Sequence, residues 1–385
     1  MRIKKTGLLF AAILLLLPLT GCWDRRELND RLFDLGSGID SLDDGKILLI
    51  GQFMIPLESK GTGAGEKKSY FIETGTGKTL PESIFDLQVK LSRNITRGHR
   101  RNIYFGEDTA KAGISDIMDS ITRDPDSRLK TDIWVVKGKN ALDFMQMSYP
   151  LEKMPVIATS KIRENIGKQI GNSLLEFLIE SNAEGSGPTL PAIDIQYDPK
   201  LKKNTFSIYG RAILNHKQQL VGYFDAMESA YRLWVVKETN RMPITVPMSS
   251  NRKETFSVEI QQTRCKVHTE VEGDRVEIDV KLNGNATIQE SNTTLELRNN
   301  ENLRKYEEKL NSHIEKAMLS MIQKAQKQFH IDVFHFGRAI SRQHPREWKD
   351  LSSRWEQEFT DAQITVHSRV KIKRIGLQGP PPYIQ

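Results

Sequence analysis

The sequence predicts an α+β fold of three mixed α/β domains, the last an antiparallel sheet packed with a long helix. Strand-like and helix-like segments alternate through the first half of the 385 residues, which is typical of sheets covered by helices. Residues 255–271 and 275–289 alternate polar and apolar side chains around a Glu-Gly-Asp turn, which predicts a hairpin. Residues 301–329 repeat apolar side chains at helical spacing, which predicts a long helix. We expect this helix to pack across the hairpin.

The first 21 residues are typical of a secretory signal peptide. A basic start precedes an uninterrupted small and apolar run, Gly7 to Leu17, which is too short to span a bilayer because a span takes about 20 apolar residues. The segment ends in Leu-Thr-Gly-Cys, which resembles a bacterial lipobox, in which the cysteine is acylated and becomes the first residue. The sequence therefore predicts an exported protein that is lipid-anchored through Cys22. An ordinary signal peptide with a chance cysteine is the alternative.

The composition agrees with a folded exported domain. The chain has 56 lysines and arginines against 49 aspartates and glutamates, but it has no dense basic cluster with interleaved aromatic residues, so no nucleic-acid partner is predicted. The modest basic excess suits anionic lipid head groups, and an ordinary basic surface explains it equally well. If Cys22 is acylated, Cys265 has no disulfide partner. Cys265 lies in an alternating strand pattern and is predicted to be a buried small hydrophobe.

The first elements of the mature chain are predicted from turn and capping signals. An Asp-Asp-Gly turn at 43–45 separates a strand ending near Asp40 from the apolar run 47–54, which predicts a hairpin. A helix begins near Thr79, because Thr79 and Glu82 have the spacing of a capping box. Its predicted apolar face consists of Leu80, Ile84, Leu87, Leu91 and Ile95.

Further alternation follows. Apolar spacing predicts a short helix over 114–121, which ends before a proline. Residues 132–136 form a predicted strand, residues 140–145 a capped helix and residues 160–179 a longer amphipathic helix. Each of these elements is assigned to the first domain.

Two polar, proline-marked stretches suggest domain boundaries. Residues 181–199 are rich in Gly, Ser and Pro and are predicted to be a linker, and residues 240–254 mark a second boundary. Between them lie two predicted strands, and residues 225–236 fit either a helix or a strand. The last strand presents Ile364, Val366, Ser368, Val370 and Ile372 on one face. The predicted division is a signal peptide, 1–21, and three domains, 22–190, 191–250 and 251–385.

The sequence contains no recognisable catalytic set. Gly75-Thr76-Gly77-Lys78-Thr79 lacks the preceding glycine of a phosphate-binding loop, since Ile72 occupies that place. The eight histidines have no metal-binding spacing, and no Gly-x-Ser-x-Gly elbow is present. We therefore predict no enzymatic activity, no metal and no cofactor, which leaves binding, assembly or scaffolding.

A resemblance to a known family begins at the lipobox. Residues 21–30, Gly-Cys-Trp-Asp-Arg-Arg-Glu-Leu-Asn-Asp, are similar to the mature start of the C-subunit lipoproteins of spore germinant receptors, the Ger(x)C family. Similar segments recur in the same order over the mature chain. They are Gly38–Asp40, His99, Tyr104–Asp108 with Ala110, Arg123–Arg128, Leu220–Tyr223, and Asp332–Gly337 with Trp348 and Trp355. Residues 32–35 and 211–213 are less typical, which leaves the particular receptor and germinant open.

The resemblance implies a three-domain lipoprotein on the outer face of the inner spore membrane. It implies a palmitate-type acyl anchor on Cys22 and a receptor complex with two integral-membrane subunits, of A and B type, that responds to nutrients without enzymatic activity. Trp23, Arg25 and Arg26 follow the anchor and suit lipid head groups or an acidic loop of a membrane subunit. A tether without a partner is the alternative for these three residues.

Two other assignments remain open at this stage. A lipid-anchored solute-binding protein of a transporter is the alternative function, and a surface hydrolase is a weaker one because a nucleophile is missing. Residues 123–128 are predicted to form a structural turn held by its own charges, with a ligand site as the less favoured interpretation.

Overall fold

In the computed structural model, residues 30–54, 70–152, 154–166, 172–200, 202–249, 253–273, 275–293, 295–297 and 299–374 are described. The predicted signal peptide and the four predicted site residues lie outside this part of the chain. Those residues are Cys22, Trp23, Arg25 and Arg26.

The described chain folds into two sheets with helices packed on them. The strands are β1 (Arg31–Ser41), β2 (Ile47–Met54), β3 (Tyr70–Gly77), β4 (Asn94–Thr96), β5 (Asn102–Gly106), β6 (Asp132–Lys137), β7 (Asn172–Ser173), β8 (Thr189–Asp198), β9 (Lys203–Leu214), β10 (Leu220–Asp225), β11 (Arg241–Pro247), β12 (Thr255–Glu272), β13 (Arg275–Ser291) and β14 (Gln363–Arg374). The α-helices are α1 (Leu80–Gln88), α2 (Glu107–Ala112), α3 (Ser115–Arg123), α4 (Ala141–Met145), α5 (Pro155–Ile166), α6 (Leu174–Ser181), α7 (Ala226–Val235), α8 (Asn300–Lys324), α9 (Phe336–Gln343), α10 (Glu347–Leu351) and α11 (Trp355–Asp361).

The first sheet has the order β10-β9-β8-β6-β5-β1-β2-β3, with β4 paired to β1 and β7 to β6. The central strands β1, β5, β6 and β8 are parallel neighbours, and hairpins add antiparallel strands at both edges. A parallel sheet needs cover on both faces because its strands are apolar on both sides. Helices α1, α2, α3 and α6 cover one face, and α4 and α5 cover the other.

Several local predictions are confirmed. The hairpin β1–β2 forms around Gly45, whose φ of +77° favours glycine. Thr79 caps α1 by accepting from the Glu82 backbone N–H at 3.4 Å, but Glu82 accepts from the Lys78 N–H rather than closing the box on Thr79. Residues 225–236, undecided from sequence, form α7, capped by a reciprocal box between Asp225 and Glu228.

Three predicted elements differ from the structure. Helix α1 ends at Gln88, and Ile95 lies in β4 instead. The predicted helix over 160–179 is two helices, α5 and α6, because Ser173 starts a new capping box and β7 pairs with β6. The predicted linker 181–199 contains β8, which pairs with both β6 and β9. Pro191 pairs with Arg211 of β9, and pairing with β6 begins only at Ala192.

The second sheet confirms the predicted sheet-plus-long-helix unit. Its order is β11-β12-β13-β14, and α8 packs Tyr306, Leu310, Ile314 and Met318 into the core beneath it. The hairpin β12–β13 and the buried face of β14 agree with the predicted alternation. The sheet is antiparallel from β11 to β13, whereas β14 is parallel to β13 because the chain crosses over through α8 to α11 before it returns. Cys265 is buried in β12, as predicted.

The strands of residues 191–250 are shared between the two sheets. Strands β8, β9 and β10 extend the first sheet, and β11 is the edge strand of the second. Backbone pairing continues from β6 into β8 without interruption, so the predicted middle domain has no sheet of its own. The three boundaries remain a prediction about folding units.

Candidate functional site

A cavity of about 830 Å³ lies in the first domain, between α1, α3 and the strands β1 and β2. Leu80 and Leu87 of α1 and Ile117 and Ile121 of α3 form apolar walls, and all four belong to the core that covers this face of the sheet. The two helices lie on the same face of the sheet, because each turns its apolar stripe onto it. The cavity is of the size that takes a small organic molecule.

The polar end of this cavity is formed by β1 and by Arg100, two residues before β5. Asp34 is 3% exposed and accepts hydrogen bonds from Ser37 Oγ at 2.6 Å and from the Gly36 N–H at 3.1 Å. Arg100 is 7% exposed and lies on the same side, because the parallel pairing of β1 with β5 brings its end of β5 next to Gly36. A carboxylate and a guanidinium therefore share a largely apolar enclosure.

One nitrogen of the Arg100 guanidinium has no hydrogen-bond partner among the described residues. Its Nη1 donates to Ser37 Oγ at 3.4 Å and its Nη2 donates to Ser127 Oγ at 3.1 Å. Its Nε is buried and has no hydrogen-bond partner among the described residues. A buried donor left without an acceptor costs about 1–3 kcal/mol.

Burial and mutual attraction act against each other in this pair. Burial raises the pKa of Asp34 above its usual value, although the charge of Arg100 opposes the rise. Burial lowers the pKa of Arg100, and Asp34 opposes that change. Neither group is fully compensated by the other, which is typical of a site that binds a polar ligand.

The rim of the cavity includes the predicted turn 123–128. Asp124 accepts from Arg97 Nε at 2.8 Å and from the Asp126 N–H at 3.0 Å. Burial acts to raise the pKa of Asp124, but the hydrogen bonds from Arg97 and the Asp126 N–H together with the charges of Arg97 and Arg100 outweigh it, so that pKa lies below its usual value. The predicted turn is therefore present, but the ion pairs of Asp124 and Arg123 are with Arg97 and Asp119 outside it, so the prediction that its own charges hold it is wrong. Ser127 of the turn accepts a hydrogen bond from Arg100 Nη2.

This site was not predicted from the sequence. The predicted site residues Cys22, Trp23, Arg25 and Arg26 lie outside the described residues. One available signal was Asp34, a charged residue between Phe33 and Leu35 of β1. Among the described residues there is no group of three His, Cys, Asp or Glu side chains that could hold a metal ion. Within the same residues, no helix is long and apolar enough to cross a membrane.

The fold places this chain in a class of two-sheet α+β proteins that already includes a solved structure. The structure titled "Crystal Structure of the GerBC protein" superimposes with a TM-score of 0.60 over 88% of this chain and 97% of that chain, at 16% identity. Residues 24–195 match the family model "Spore germination protein N-terminal domain", and residues 209–376 match "Spore germination B3/GerAC like, C-terminal". The chain therefore belongs to the GerAC-like family of spore germination proteins, and the predicted resemblance is confirmed.

Full-length relatives are found among spore germination proteins of Bacillus. The chain is 28% identical to the putative spore germination protein YfkR of Bacillus subtilis (strain 168), over 95% of both chains. It is 23% identical to spore germination protein KC of the same organism, over 98% of both chains. It is 26% identical to spore germination protein GerQC of Bacillus cereus, over 93% of this chain and 96% of that one.

Proposed function

We propose that this protein is the non-enzymatic, lipid-anchored C-type subunit of a nutrient germinant receptor. Acylated Cys22 holds it on the outer face of the inner spore membrane, beside two integral-membrane subunits of A and B type. The observation that carries the proposal is the match of both family models, in order, along nearly the whole chain. The Leu-Thr-Gly-Cys sequence before residue 23 supports the anchor. The described residues form two unlike sheets, which disfavours the two similar lobes expected of a transporter's solute-binding protein.

Complementation of a deletion strain tests the receptor role and the anchor together. We expect the wild-type gene to restore germination in one class of nutrient and its tagged product to co-purify with two integral-membrane proteins from spore inner membranes. Cys22→Ala should abolish fatty-acid labelling and restore little or no response, because a lipoprotein without its modified cysteine is not anchored. Normal germination of the deletion strain in every nutrient would contradict the receptor role. Lipid labelling that persists in Cys22→Ala would contradict the anchor.

We also propose that the cavity beside Asp34 and Arg100 binds a small molecule with an apolar body and a carboxylate. The buried guanidinium-bearing residue Arg100, which lines the cavity, is the observation that favours this second function, since a carboxylate is the acceptor that a guanidinium binds most strongly. The apolar walls accommodate the rest of such a molecule.

Ligand-observed NMR with the full chain tests the cavity. We expect hexanoate to bind and hexanol, which has the same apolar body without the charge, to bind more weakly. Arg100→Met should weaken hexanoate binding about 10- to 100-fold, the effect of a charge-assisted hydrogen bond. Arg275→Met is the control, because Arg275 is exposed on β13 of the second sheet, pairs with Glu277 and does not line this cavity. Equal binding of hexanoate and hexanol, or undiminished binding by Arg100→Met, would contradict this role.

A further inference from the structure

The amino-terminal ends of the central parallel strands lie together at one end of the first sheet, which we call its amino-terminal end. Asn102 at the start of β5 pairs with Gly36 on one side and with Asp132 at the start of β6 on the other. The segments that enter these strands therefore lie side by side, and β1 begins on the same side. Residues 23–30 are all that separates Cys22 from Arg31. Fully extended, this segment reaches about 28 Å, so an anchor at Cys22 holds the amino-terminal end of the sheet near the bilayer.

The amino-terminal end of the sheet carries a cluster of exposed cations. Arg101, Arg128 and Lys130 are exposed and line a single depression of about 570 Å³, together with His99 and Arg163. The first three make no ion pair with any acid among the described residues. The acids in the same depression are Asp132, which pairs with Arg163, and Glu164, so positive charge is in excess there.

Exposed apolar side chains lie beside these cations. Leu129, between Arg128 and Lys130, is 50% exposed, and Leu175 at the start of α6 is 46% exposed. The two leucines are neighbours, because the Leu175 N–H donates to the Leu129 carbonyl at 3.0 Å. Ile179, one helical turn further, is 57% exposed. Apolar side chains next to unpaired cations suit the boundary between lipid head groups and acyl chains.

We infer that Leu129, Leu175, Arg101, Arg128 and Lys130 form a membrane-docking surface that lies against anionic phospholipid. The inference rests on the proposed anchor at Cys22, which brings the amino-terminal end of the sheet to the bilayer. To the proposed function it adds the orientation of the anchored protein. Cations beside an anionic surface each strengthen association about fivefold, and the leucines enter the head-group layer. An acyl anchor together with a basic patch then fixes both attachment and orientation. The chemistry selects anionic over neutral lipid.

An environment-sensitive fluorophore on the lipidated full-length chain tests this orientation. Leu129→Cys and Leu42→Cys provide matched label sites, since Leu42 lies in the β1–β2 turn at the opposite end of β1. Cys265 is 3% exposed and an acylated Cys22 has no free thiol, so only the new cysteine reacts. In vesicles that contain phosphatidylglycerol, we expect the label at 129 to brighten and to be quenched by spin-labelled lipid. The label at 42 should do neither, and vesicles of phosphatidylcholine alone should give a smaller response at 129.

Charge reversal separates docking from anchoring. The triple variant Arg101→Glu, Arg128→Glu and Lys130→Glu should shift the docking equilibrium about a hundredfold toward the undocked state while fatty-acid labelling of Cys22 persists. The matched control reverses the charge of three exposed lysines at the opposite end of the strands, Lys46, Lys139 and Lys200, and should leave docking unchanged. In the chain with its native cations, an acylated Cys22 without a fluorescence response of the label at 129 would overturn the docking surface and leave the anchor intact, and an undiminished response in the triple variant would also overturn it. If the label at residue 129 brightens only when the membrane subunits are present, the surface binds a protein partner, and the lipid inference is overturned.

Discussion

Glu180→Ala is expected to lower the free energy of unfolding by about 3–5 kcal/mol at pH 7, because it leaves two buried guanidiniums without their anion. Glu180 lies in α6, and its Oε1 accepts from Arg232 Nη2 of α7 at 2.6 Å. Its Oε2 accepts from the Thr189 N–H of β8 at 3.0 Å. Arg211 of β9 is equally buried and donates to Thr189 Oγ1 at 2.8 Å. Removal of the carboxylate therefore disturbs α6, α7, β8 and β9 together.

This buried cluster also connects the first sheet to the carboxyl-terminal part of the chain. Arg232 Nε donates to the Val333 carbonyl at 2.9 Å, in the segment that precedes α9. We therefore expect Glu180→Ala to weaken the contact between the two halves as well as the first sheet. Asp119→Ala is the control: it removes the exposed pair with Arg123 and should cost less than about 1 kcal/mol. Equal unfolding midpoints in urea for the two variants would contradict the prediction.

The pH dependence follows from the same carboxylate. Burial alone would raise the pKa of Glu180, but the charges of Arg232 and Arg211 outweigh it and lower that pKa to about 2. A depressed carboxylate pKa gives stability that is present above the unfolded value of 4.5 and is lost as the pH falls toward 2, about 3 kcal/mol in all. The difference between wild type and Glu180→Ala should therefore shrink across that interval. Burial lowers the pKa of His335 from 6.5 to about 4. Because the folded state disfavours protonation of His335, this residue also makes the protein less stable as the pH falls below about 6.5.

Trp355→Ala is expected to cost about 3–5 kcal/mol, the range for removal of a buried tryptophan. Trp355 is 2% exposed and packs edge-to-face on Trp348, with ring centroids 5.6 Å apart. A Cβ atom on Gly185 would lie 2.7 Å from the Trp355 ring, so this segment before β8 fits closely against the indole. Trp355 Nε1 also donates to Asp332 Oδ2 at 3.2 Å. The side chain thus fills the contact between the two halves and satisfies a buried carboxylate.

Two further variants divide this effect. Trp355→Phe keeps most of the apolar area and loses the donor to Asp332, so it should cost about 1–3 kcal/mol. Burial raises the pKa of Asp332 to about 6 despite its hydrogen bonds, and loss of the indole donor should raise it further. Phe85→Ala is the control, because Phe85 is largely exposed on α1. Urea unfolding measures all three, and a loss for Trp355→Ala no larger than that for Phe85→Ala would contradict the assigned packing.

Local signals accounted for much of the fold. The Asp-Asp-Gly turn, the cap at Thr79 and the alternation in β12 and β13 each depend on residues close in sequence, and the structure has all three. The linker prediction over 181–199 was wrong because composition alone cannot show that β6 and β9 offer partners on both sides of β8. The predicted helix 160–179 is interrupted for a similar reason, since Asn172 and Ser173 form β7, which pairs with β6.

The sequence by itself determined the family, the α+β class and the places where helices and turns begin, because caps, turns and periodic apolar faces are short-range properties. Only the tertiary structure decided that Asp34 and Arg100 share a cavity, that Glu180 lies between two arginines, and that Leu129 meets Leu175. These pairs are far apart in sequence, and their proximity depends on which strands pair and in which register. Register is selected by the packing of whole faces of the sheet, so no short segment encodes it alone.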